Sequence, residues 1–502
     1  MTDFTPTPEQ TAIVDKVASE PTQSLCINAL AGSAKTTTLA LLQYPPGTTV
    51  LALAFNKLAA DDLRAKLPPF AVVKTLNALG HAAWQTVISA RINLNTRKTF
   101  NIVSNLAPPT HFSEVMAAIN MAKTEGLVPD GLAMANKPLI PDTLESWDDI
   151  FDKYEIDLPL SHLAFARDGL RESIRQSYTG VIDFSDQLYM SACFNGAFGS
   201  YHTVLIDEAQ DLSPINHRML SMIKATRRIA VGDPNQSIYG FRGATENSME
   251  QLTETFSMEP LPLTTCFRCC KEVVALAQIQ RTPQMRPWDQ APIGEVNYWD
   301  SWKVSDIAEL ETATIICRNN APLIRLAFRL LGNRVPVQML GSDIGKAMLA
   351  TLTKIIGKKA GNHIPIAQVI AKLTIWRNEE QEKALTKDKP YIKSRAEDRY
   401  DSFLAIIDGA DCVSFGQLKV EITTLFAPNT AKVLLTTGHK SKGREWPIVI
   451  HYDPWRIPSK YAKKAANAGD HRQINQEFNL QYVITTRAQL RLIHMNENGE
   501  IE

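Results

Sequence analysis

The sequence predicts an α/β protein with two parallel-sheet domains, each interrupted by a mainly helical insertion. Short β-rich runs alternate with helical patterns between residues 24 and 76, and the same alternation recurs at 203–233. A second set of β-rich runs follows at 313–318, 431–437, 446–452 and 481–488. Strands that alternate with helices are typical of crossover connections in parallel sheets. Helical periodicity dominates roughly 90–180, within the first set, and about 345–428, within the second.

The domain boundaries follow these changes of pattern. The first domain is predicted to resume after its insertion, and the second domain is predicted to do the same after a smaller one. In chain order the predicted segments are 1–89 (first domain), 90–180 (helical insertion), 181–255 (first domain), 256–345 (second domain), 346–426 (reduced helical insertion) and 427–502 (second domain).

The composition excludes several classes of protein. A chain of 502 residues with 44% hydrophobic and 21% charged residues supports large packed cores, which excludes wholesale disorder. No apolar run approaches the ~18 residues of a membrane span, so we expect no membrane partner. The 53 Lys+Arg balance 53 Asp+Glu, so a nucleic-acid surface, if present, must be a local patch.

The seven cysteines favour a reducing compartment, because a disulfide framework would use more of them in an even number. We therefore expect a cytoplasmic protein of a bacterial or phage-infected cell, or a nuclear protein if the source is eukaryotic. Cys266, Cys269 and Cys270 form a C-x-x-C-C cluster. A zinc site would need a second pair of matching spacing, so we interpret the cluster as structural.

The stretch NALAGSAKTTT at 28–38 follows a predicted strand and opens a helix, the setting of a phosphate-binding loop. Lys35 would reach the β- and γ-phosphates of ATP, and the Thr36 hydroxyl would hold Mg²⁺. The match is imperfect, because Ala29 and Ala34 stand where the pattern has glycine. The alternative is an ordinary strand-to-helix turn with a surface lysine. The predicted nucleotide-binding residues of this loop are Ala31, Gly32, Ser33, Ala34, Lys35, Thr36 and Thr37.

VLIDEAQD at 204–211 places two carboxylates at the end of a buried β-rich run, where they have no packing reason to lie. Asp207 would hold Mg²⁺, and Glu208 would position and deprotonate the attacking water. The alternative is that these two acidic residues merely lie in the loop that follows a strand and have no role in catalysis.

Further motifs occur in a fixed order along nearly the whole chain. They are PTPEQ (6–10), AFNKLAADDL (54–63), TLNALGHAA (75–83), VIDFSDQL (181–188), GDPNQSIYGFRGA (232–244), TTCFR (264–268), TTGHKSKGREWP (436–447) and YVITTRA (482–488). With these motifs the chain resembles the superfamily 1 DNA helicases of the UvrD/Rep type, and it is most similar to the F-box DNA helicase branch and its phage relatives. The resemblance implies two RecA-like P-loop domains with ATP in the cleft between them.

The resemblance also implies roles for single residues. Those beyond the phosphate loop are Gln10 (adenine edge), Phe267 (stacking on adenine), Gln236 (sensing of the γ-phosphate), Arg268 and Arg487 (charge on the transferred phosphoryl group), and Gly443 and Glu445 (γ-phosphate and ribose). The implied catalytic set is Lys35, Asp207, Glu208, Gln236, Arg268 and Arg487. Thr37 departs from the family pattern, because many relatives carry there an arginine that sandwiches the adenine.

The same motifs imply a track for single-stranded DNA, which proteins hold with aromatic faces and a polar groove along the backbone. Tyr239, Phe241 and Arg242 follow Gln236 closely, so a phosphate sensor and a base-stacking pair would share one loop. The alternative is that both aromatics are core residues beneath the loop. Weaker candidates for phosphate or sugar contacts are Asn56, Lys57, Thr75, Asn77 and His439.

We therefore expect an ATP-dependent DNA helicase that translocates on single-stranded DNA, with 3′-to-5′ direction implied by the resemblance alone. Its expected partners are single-stranded DNA, junctions of single- and double-stranded DNA, and proteins of replication, repair or recombination. Two alternatives stay open. One is a translocase that displaces bound proteins with little unwinding. The other is a nucleotide-gated DNA-binding module without turnover, against which the joint presence of Glu208, Gln236 and Arg487 argues.

Overall fold

The computed structural model describes residues 5–132, 138–310, 312–357, 359–386, 390–427 and 431–499. The chain forms two compact units, of which the first ends at Thr264 and the second begins at Thr265. This division lies beyond the predicted 255/256 boundary, because the strand Glu259–Leu263 pairs with the strand Leu25–Ala29 of the first unit. The predicted α/β class with parallel sheets is confirmed. The predicted bounds of the insertions stay predictions.

The first unit contains eight strands and eleven α-helices among its described residues. In chain order they are α1 (Pro8–Ser19), β1 (Leu25–Ala29), α2 (Lys35–Leu41), β2 (Val50–Ala54), α3 (Lys57–Lys66), β3 (Val72–Thr75), α4 (Leu76–Gln85), β4 (Asn93–Leu94), α5 (Lys98–Leu106), α6 (Phe112–Glu125), α7 (Leu144–Lys153), α8 (Leu163–Tyr178), β5 (Val181–Ile182), α9 (Phe184–Cys193), β6 (Ser200–Ile206), α10 (Pro214–Met222), β7 (Lys224–Gly232), α11 (Ser248–Phe256) and β8 (Glu259–Leu263).

Six of these strands form one parallel sheet in the order β3-β2-β6-β7-β1-β8. Strand β2 is buried along its whole length and serves two cores, with Leu51 and Leu53 in one and Ala52 and Ala54 in the other. Apolar residues on both faces are typical of parallel sheets covered by helices on both sides. Because parallel strands end at one edge, the loops after β1, β2, β3, β6 and β7 meet there. Ligands of open α/β sheets bind at this carboxyl edge.

Helices α5 to α8 form the helical part of the first unit, and a cluster of buried charges joins them to α9. Lys98 Nζ lies 2.7 Å from Asp186 Oδ2, and Lys123 Nζ lies 2.6 Å from Asp186 Oδ1 and 3.5 Å from Asp183 Oδ2. Asp183 is also the N-cap of α9. Buried charges require partners of opposite sign. The charge cluster, as we call these four residues, therefore fixes the start of α9 against the helical part.

The second unit contains eight strands and ten α-helices among its described residues. In chain order they are β9 (Thr265–Cys266), α12 (Lys271–Gln280), β10 (Arg286–Pro287), β11 (Glu295–Trp299), α13 (Val304–Ala308), β12 (Ala313–Cys317), α14 (Asn320–Gly332), β13 (Val337–Met339), α15 (Ser342–Ile356), α16 (Ile366–Thr386), α17 (Pro390–Gly409), α18 (Phe415–Leu425), β14 (Val433–Thr437), α19 (Gly438–Ser441), β15 (Trp446–Tyr452), α20 (Lys460–Asn467), α21 (Arg472–Thr485) and β16 (Ala488–Met495).

The second sheet is also parallel, with the strand order β11-β16-β15-β12-β14-β13. The predicted β-rich run at 481–488 is wrong, because residues up to Thr485 belong to α21 and the strand β16 begins at Ala488. Its central strand β12 is wholly buried and shares a core with the apolar faces of α14 and α17. Helices α15 to α18 separate β13 from β14 in the chain and supply the helical part of this unit. Within the described part of the chain, no helix has both the length and the apolar character needed to cross a membrane.

Candidate functional site

The predicted phosphate loop lies at the carboxyl edge of the first sheet, between β1 and α2. Its backbone is left-handed at Gly32 (φ 70°) and at Ala34 (φ 58°). Ala34 is the N-cap of α2, and its methyl group makes the left-handed conformation strained. Ser33 is buried, and its hydroxyl has no hydrogen-bond partner among the described residues. A buried hydroxyl without a protein partner is suited to a phosphate oxygen.

Lys35 begins α2 and lies beside the residues that follow β6. Its Nζ is 3.1 Å from Glu208 Oε1. Burial lowers the pKa of Lys35, but the charges of Glu208, Asp207 and Asp233 outweigh burial, and the net effect raises this pKa. Lys35 is therefore held as a cation among carboxylates, which is the state needed to bind a polyphosphate.

Asp207 and Glu208 form the acidic end of β6. Asp207 is buried and accepts a hydrogen bond from the backbone N–H of Glu208 at 2.9 Å. Burial, followed by the charge of Glu208, raises the pKa of Asp207 above its usual value. Glu208 itself has a left-handed backbone with φ 51°, and such strain in a non-glycine residue is concentrated at functional sites.

The residues present fit a magnesium ion at this place. A divalent cation would offset the repulsion between the neighbouring carboxylates that raises the pKa of Asp207. Thr36 and Thr37 lie in the first turn of α2 and are half-buried, so a hydroxyl is available from the phosphate loop. Oxygen ligands from one carboxylate and one hydroxyl are typical of Mg²⁺ sites that also use substrate phosphates. Thr36 and Asp207 are the residues that would hold it.

Gln210, which we did not predict as a site residue, connects the acidic pair to the loop after β7. Its Nε2 donates to Glu208 Oε2 at 2.6 Å, and its Oε1 accepts from the backbone N–H of Asp233 at 3.1 Å. Asp233 accepts in turn from Gln236 Nε2 at 2.8 Å. A Cβ on Gly232 would lie 2.4 Å from Gln210 Oε1, so glycine is needed beside this contact. We call the hydrogen-bonded series the polar relay; its members are Lys35, Glu208, Gln210, Asp233 and Gln236.

The chain continues from the polar relay into the predicted base-stacking residues. Phe241 is 56% exposed, and its ring centroid lies 6.1 Å from that of Tyr239. The guanidinium carbon of Arg242 lies 5.2 Å from the Tyr239 centroid and 5.5 Å from the Phe241 centroid. Phe241 is therefore a surface residue, and Tyr239 is half-buried. Such aromatic faces beside a cation are suited to stacking on single-stranded bases.

The weaker DNA candidates of the first unit lie near one another, because Ala54 at the end of β2 pairs with Thr75 at the end of β3. Asn56 and Thr75 are N-caps, since their side chains accept from the first turns of α3 and α4. Lys57 is exposed. Two of these side chains thus have structural partners, and Lys57 presents its cation to solvent.

Asn77 faces the start of α9. Its Nδ2 donates to the carbonyl of Phe184 at 2.8 Å and to Gln187 Oε1 at 3.0 Å. Phe184 is 56% exposed. Asn77 is thus anchored to α9, and its predicted contact with DNA stays a prediction.

Gln10 has structural partners in the first unit. The residue is fully buried, its Oε1 accepts from the backbone N–H of Thr7 at 3.0 Å, and its Nε2 donates to Thr38 Oγ1 at 2.9 Å. These contacts complete the capping box of α1 and tie α1 to α2. Reading an adenine edge would require the amide to change these partners, so that role stays a prediction.

In the second unit, Arg268 pairs through Nε with Glu445. Its Nη1 also donates to the carbonyl of Thr486 at 3.4 Å, and Gln489 Nε2 donates to the second Glu445 oxygen at 3.1 Å. The Arg268 side chain remains 21% exposed. The structure therefore brings together two predicted nucleotide-contacting residues, one cationic and one anionic.

Arg487 is enclosed in the second unit, where it is 1% exposed. Its guanidinium donates to the carbonyls of Val483 and Arg444, each at 2.9 Å, and to the Thr486 hydroxyl at 3.3 Å. Burial, followed by the charge of Arg268, lowers the pKa of Arg487 to about 10. A role at a phosphoryl group would require the guanidinium to leave these oxygens, and that role stays a prediction.

The remaining predicted residues of the second unit are Phe267, Gly443 and His439. The Phe267 ring lies 5.9 Å from that of Trp288, at 46° between planes. Gly443 has φ 80°, a conformation that favours glycine, and it precedes β15. His439 lies in α19, directly after β14, and is half-buried.

Comparisons with known proteins agree with this arrangement of motifs. Residues 7–257 match the family model of the UvrD/REP helicase N-terminal domain. F-box DNA helicase protein 1 of Schizosaccharomyces pombe is 26% identical over 97% of this chain, which spans 57% of that relative's length. Mitochondrial ATP-dependent DNA helicase HMI1 of Saccharomyces cerevisiae is 43% identical over 15% of this chain and 12% of its own length. ATP-dependent DNA helicase srs2 of S. pombe is 38% identical over 15% of this chain and 9% of its own length.

Proposed function

The chain belongs to the UvrD/REP helicase family, and from this we propose that it is an ATP-dependent DNA helicase that moves 3′-to-5′ on single-stranded DNA. The observation that carries the proposal is the polar relay. It runs without a gap from Lys35 of the phosphate loop to Gln236. The exposed ring of Phe241 follows in the same loop. The proposed hydrolytic site and the proposed base-stacking site would thus share one edge of one sheet.

In the proposed reaction, Lys35 exchanges Glu208 for the β- and γ-phosphate oxygens of ATP. The Glu208 carboxylate is then released to orient the attacking water and accept its proton. The Ser33 hydroxyl and the N–H groups of the loop bind phosphate oxygens. Thr36 and Asp207 would hold Mg²⁺, which would neutralise the charge of the β- and γ-phosphates.

The polar relay supplies the coupling between hydrolysis and DNA. When Glu208 changes partner, the hydrogen bond from Gln210 changes with it, and Gln210 also fixes the backbone of Asp233. A displacement of the Asp233 backbone then also displaces Gln236, whose amide donates to Asp233. Because Tyr239 and Phe241 follow in the same loop, the grip on bases alters with the state of the nucleotide. Buried polar networks respond as a unit, which suits them to this task.

We propose that the second unit contributes the positive charge of Arg268 to hydrolysis. This side chain is partly exposed and has an exposed carboxylate partner, Glu445, which it can give up for a phosphoryl group. Loss of such an arginine typically costs on the order of 10³–10⁵ in rate. We therefore expect Arg268→Ala to lower ATP hydrolysis by at least about 10³-fold while nucleotide binding is retained. Arg175→Ala, which removes an exposed arginine of α8, serves as the control and should hydrolyse ATP normally.

Strand separation tests the proposal as a whole. Partial duplexes that carry a single-stranded tail at either the 3′ or the 5′ end are incubated with ATP and Mg²⁺, and release of the shorter strand is followed. We expect unwinding of duplexes in which the loading strand has a 3′ tail, and none with Lys35→Ala. Unwinding from 5′ tails would reverse the proposed polarity. ATP-driven removal of bound protein without strand release would favour the translocase.

A further inference from the structure

Two cysteines flank, in the sequence, two of the residues that are predicted to bind nucleotide. Cys266 ends β9, Cys269 closes the turn that follows, and Phe267 and Arg268 lie between them. The backbone N–H of Cys269 donates to Cys266 Sγ at 3.4 Å, so one tight turn holds both cysteines. Both thiols are free and buried, with 0% and 1% exposure. The two cysteines of the C-x-x-C motif therefore lie in one short turn, an arrangement in which a dithiol can close to a disulfide.

The surroundings of the two sulfurs differ in charge. The Cys269 side chain, together with N–H groups of the turn and the charge of Arg268, outweighs burial and lowers the pKa of Cys266. The Cys269 thiol itself donates to the carbonyl of Thr486 at 3.7 Å. The neighbouring Cys266 side chain, followed by burial, raises the pKa of Cys269. One sulfur is thus biased towards the thiolate and the other towards the thiol. This division is typical of reactive C-x-x-C pairs, in which the thiolate is the nucleophile.

Because both thiols are buried, a small reagent would reach them only through local opening of this segment. Strand β9 has two residues and pairs with the two-residue strand β10. Segments with so little regular hydrogen bonding open at low free-energy cost. The neighbouring Cys270 donates to the carbonyl of Leu490 at 3.3 Å and occupies the N-cap position of α12. Cys270 therefore provides a nearby thiol outside the C-x-x-C pair.

We propose that Cys266 and Cys269 form a redox modification site that takes small-molecule disulfides as oxidant and closes to a reversible intramolecular disulfide. The Cys266 thiolate attacks one sulfur of the reagent, forms a mixed disulfide and releases one thiolate. Cys269 gives its proton to that thiolate, and its sulfur attacks Cys266 Sγ, which releases the second thiolate. The two cysteines are oxidised to one disulfide, and the reagent disulfide is reduced to one thiol and one thiolate.

The disulfide has a consequence that depends on the proposed function. Two bonded sulfurs lie about 2.05 Å apart, so the turn that carries Phe267 and Arg268 must tighten as the bond closes. This movement then changes the ion pair of Arg268 with Glu445 and its hydrogen bond to the Thr486 carbonyl. If Arg268 serves ATP hydrolysis, oxidation lowers the rate of hydrolysis, and reduction restores it.

The site is tested first by mass, without reference to activity. The folded protein is treated with hydroxyethyl disulfide, alkylated and mapped by peptide mass spectrometry. We expect the 266–269 peptide to lose two hydrogens, Cys269→Ala to stop at a mixed disulfide on Cys266, and Cys266→Ala to form neither product. Cys270→Ala should react as the unchanged protein does, and dithiothreitol should reverse the reaction. Circular dichroism checks that each variant is folded.

The rate of reaction supplies the comparison with ordinary buried thiols. Burial raises the pKa of Cys193 and of Cys317 to about 12. Because the thiolate is the attacking species, Cys266 should react more than about ten-fold faster than either. Equal rates at the three sites, or a disulfide that forms only in denaturant, would overturn the proposal.

A parallel measurement of ATP hydrolysis separates this inference from the proposed function. In a preparation that hydrolyses ATP, oxidation should lower the rate, and Cys270→Ala should respond in the same way. An unchanged rate after complete disulfide formation overturns the link to Arg268. A preparation without any hydrolysis overturns the proposed function, and in that case the mass result still decides whether the dithiol site exists.

Discussion

Gln210 donates from Nε2 to Glu208 Oε2 at 2.6 Å, while its Oε1 accepts from the backbone of Asp233. One amide thus joins the proposed general base to the loop that continues to Phe241. We expect Gln210→Ala to retain ATP binding but to lose about ten-fold in the stimulation of hydrolysis by single-stranded DNA, because a buried hydrogen-bonded connection is removed. The ratio of hydrolysis rates with and without DNA measures this. Asn235→Ala changes a side chain of the same loop outside the polar relay and should keep the ratio.

Ala34 provides a test of backbone strain in the phosphate loop. Its φ of 58° is left-handed, so a β-branched side chain should be tolerated far less than glycine. We expect Ala34→Val to lower the free energy of unfolding by about 1–3 kcal/mol. Ala34→Gly should change it by less than about 1 kcal/mol, because relief of strain offsets the greater entropy of the unfolded chain. Urea unfolding of both variants measures the difference. Similar losses for glycine and valine would argue against strain at this position.

The charge cluster predicts a pH-dependent contribution to stability. Burial tends to raise the pKa of Asp183, but the charge of Lys123 and hydrogen bonds from Thr99 and Ser185 hold this pKa below its usual value. A carboxylate with a depressed pKa in the folded state stabilises the protein above its unfolded pKa of about 3.9, and this contribution is lost as pH falls further.

We therefore expect Asp183→Asn to cost about 3–5 kcal/mol at pH 7, because it leaves the buried Lys123 without one of its partners. The difference in free energy of unfolding between this variant and the unchanged protein should shrink below about pH 4, where the Asp183 carboxylate begins to lose its stabilising contribution. Denaturant unfolding at several pH values measures both effects. Asp168→Asn alters an exposed ion pair of α8 and should cost less than about 1 kcal/mol at every pH.

Phe241 should contribute directly to DNA affinity. A stacked aromatic residue is worth about 1–3 kcal/mol per base, so Phe241→Ala should weaken binding of single-stranded oligonucleotides by roughly 5- to 150-fold. Fluorescence anisotropy with a labelled oligonucleotide measures this. Phe70→Ala is the matched control, because Phe70 is 55% exposed and precedes β3 at the opposite edge of the sheet. Equal losses from both substitutions would indicate that the effect is not specific to this loop.

The sequence was most informative where chemistry follows a strand. Lys35 and Asp207 were predicted from short motifs placed after β-rich runs, and Gln236 from the family resemblance. They meet because parallel strands β1, β6 and β7 end at one edge of the sheet. Because the strands are parallel, residues that are far apart in the sequence become neighbours in the structure.

Contacts between distant side chains could not be predicted in the same way. The pairing of Lys98 with Asp186 depends on how the helical part folds back on α9, and no local pattern encodes this. The enclosure of Arg487 by carbonyls of Val483 and Arg444 also arises from tertiary packing. Gln210 is different, because the letter Q of DEAQD stood beside two residues already predicted to act. A side chain two positions from a candidate base could have been examined as its partner.

Hydrolysis of ATP in the presence and absence of single-stranded DNA, with the unchanged protein and Glu208→Gln, is the most direct test of the central claim. The account predicts hydrolysis that DNA stimulates in the unchanged protein. In Glu208→Gln it predicts loss of turnover by about 10²–10⁴-fold with ATP binding retained, because the proposed general base is gone. Equal turnover by the two proteins, with or without DNA, would contradict it.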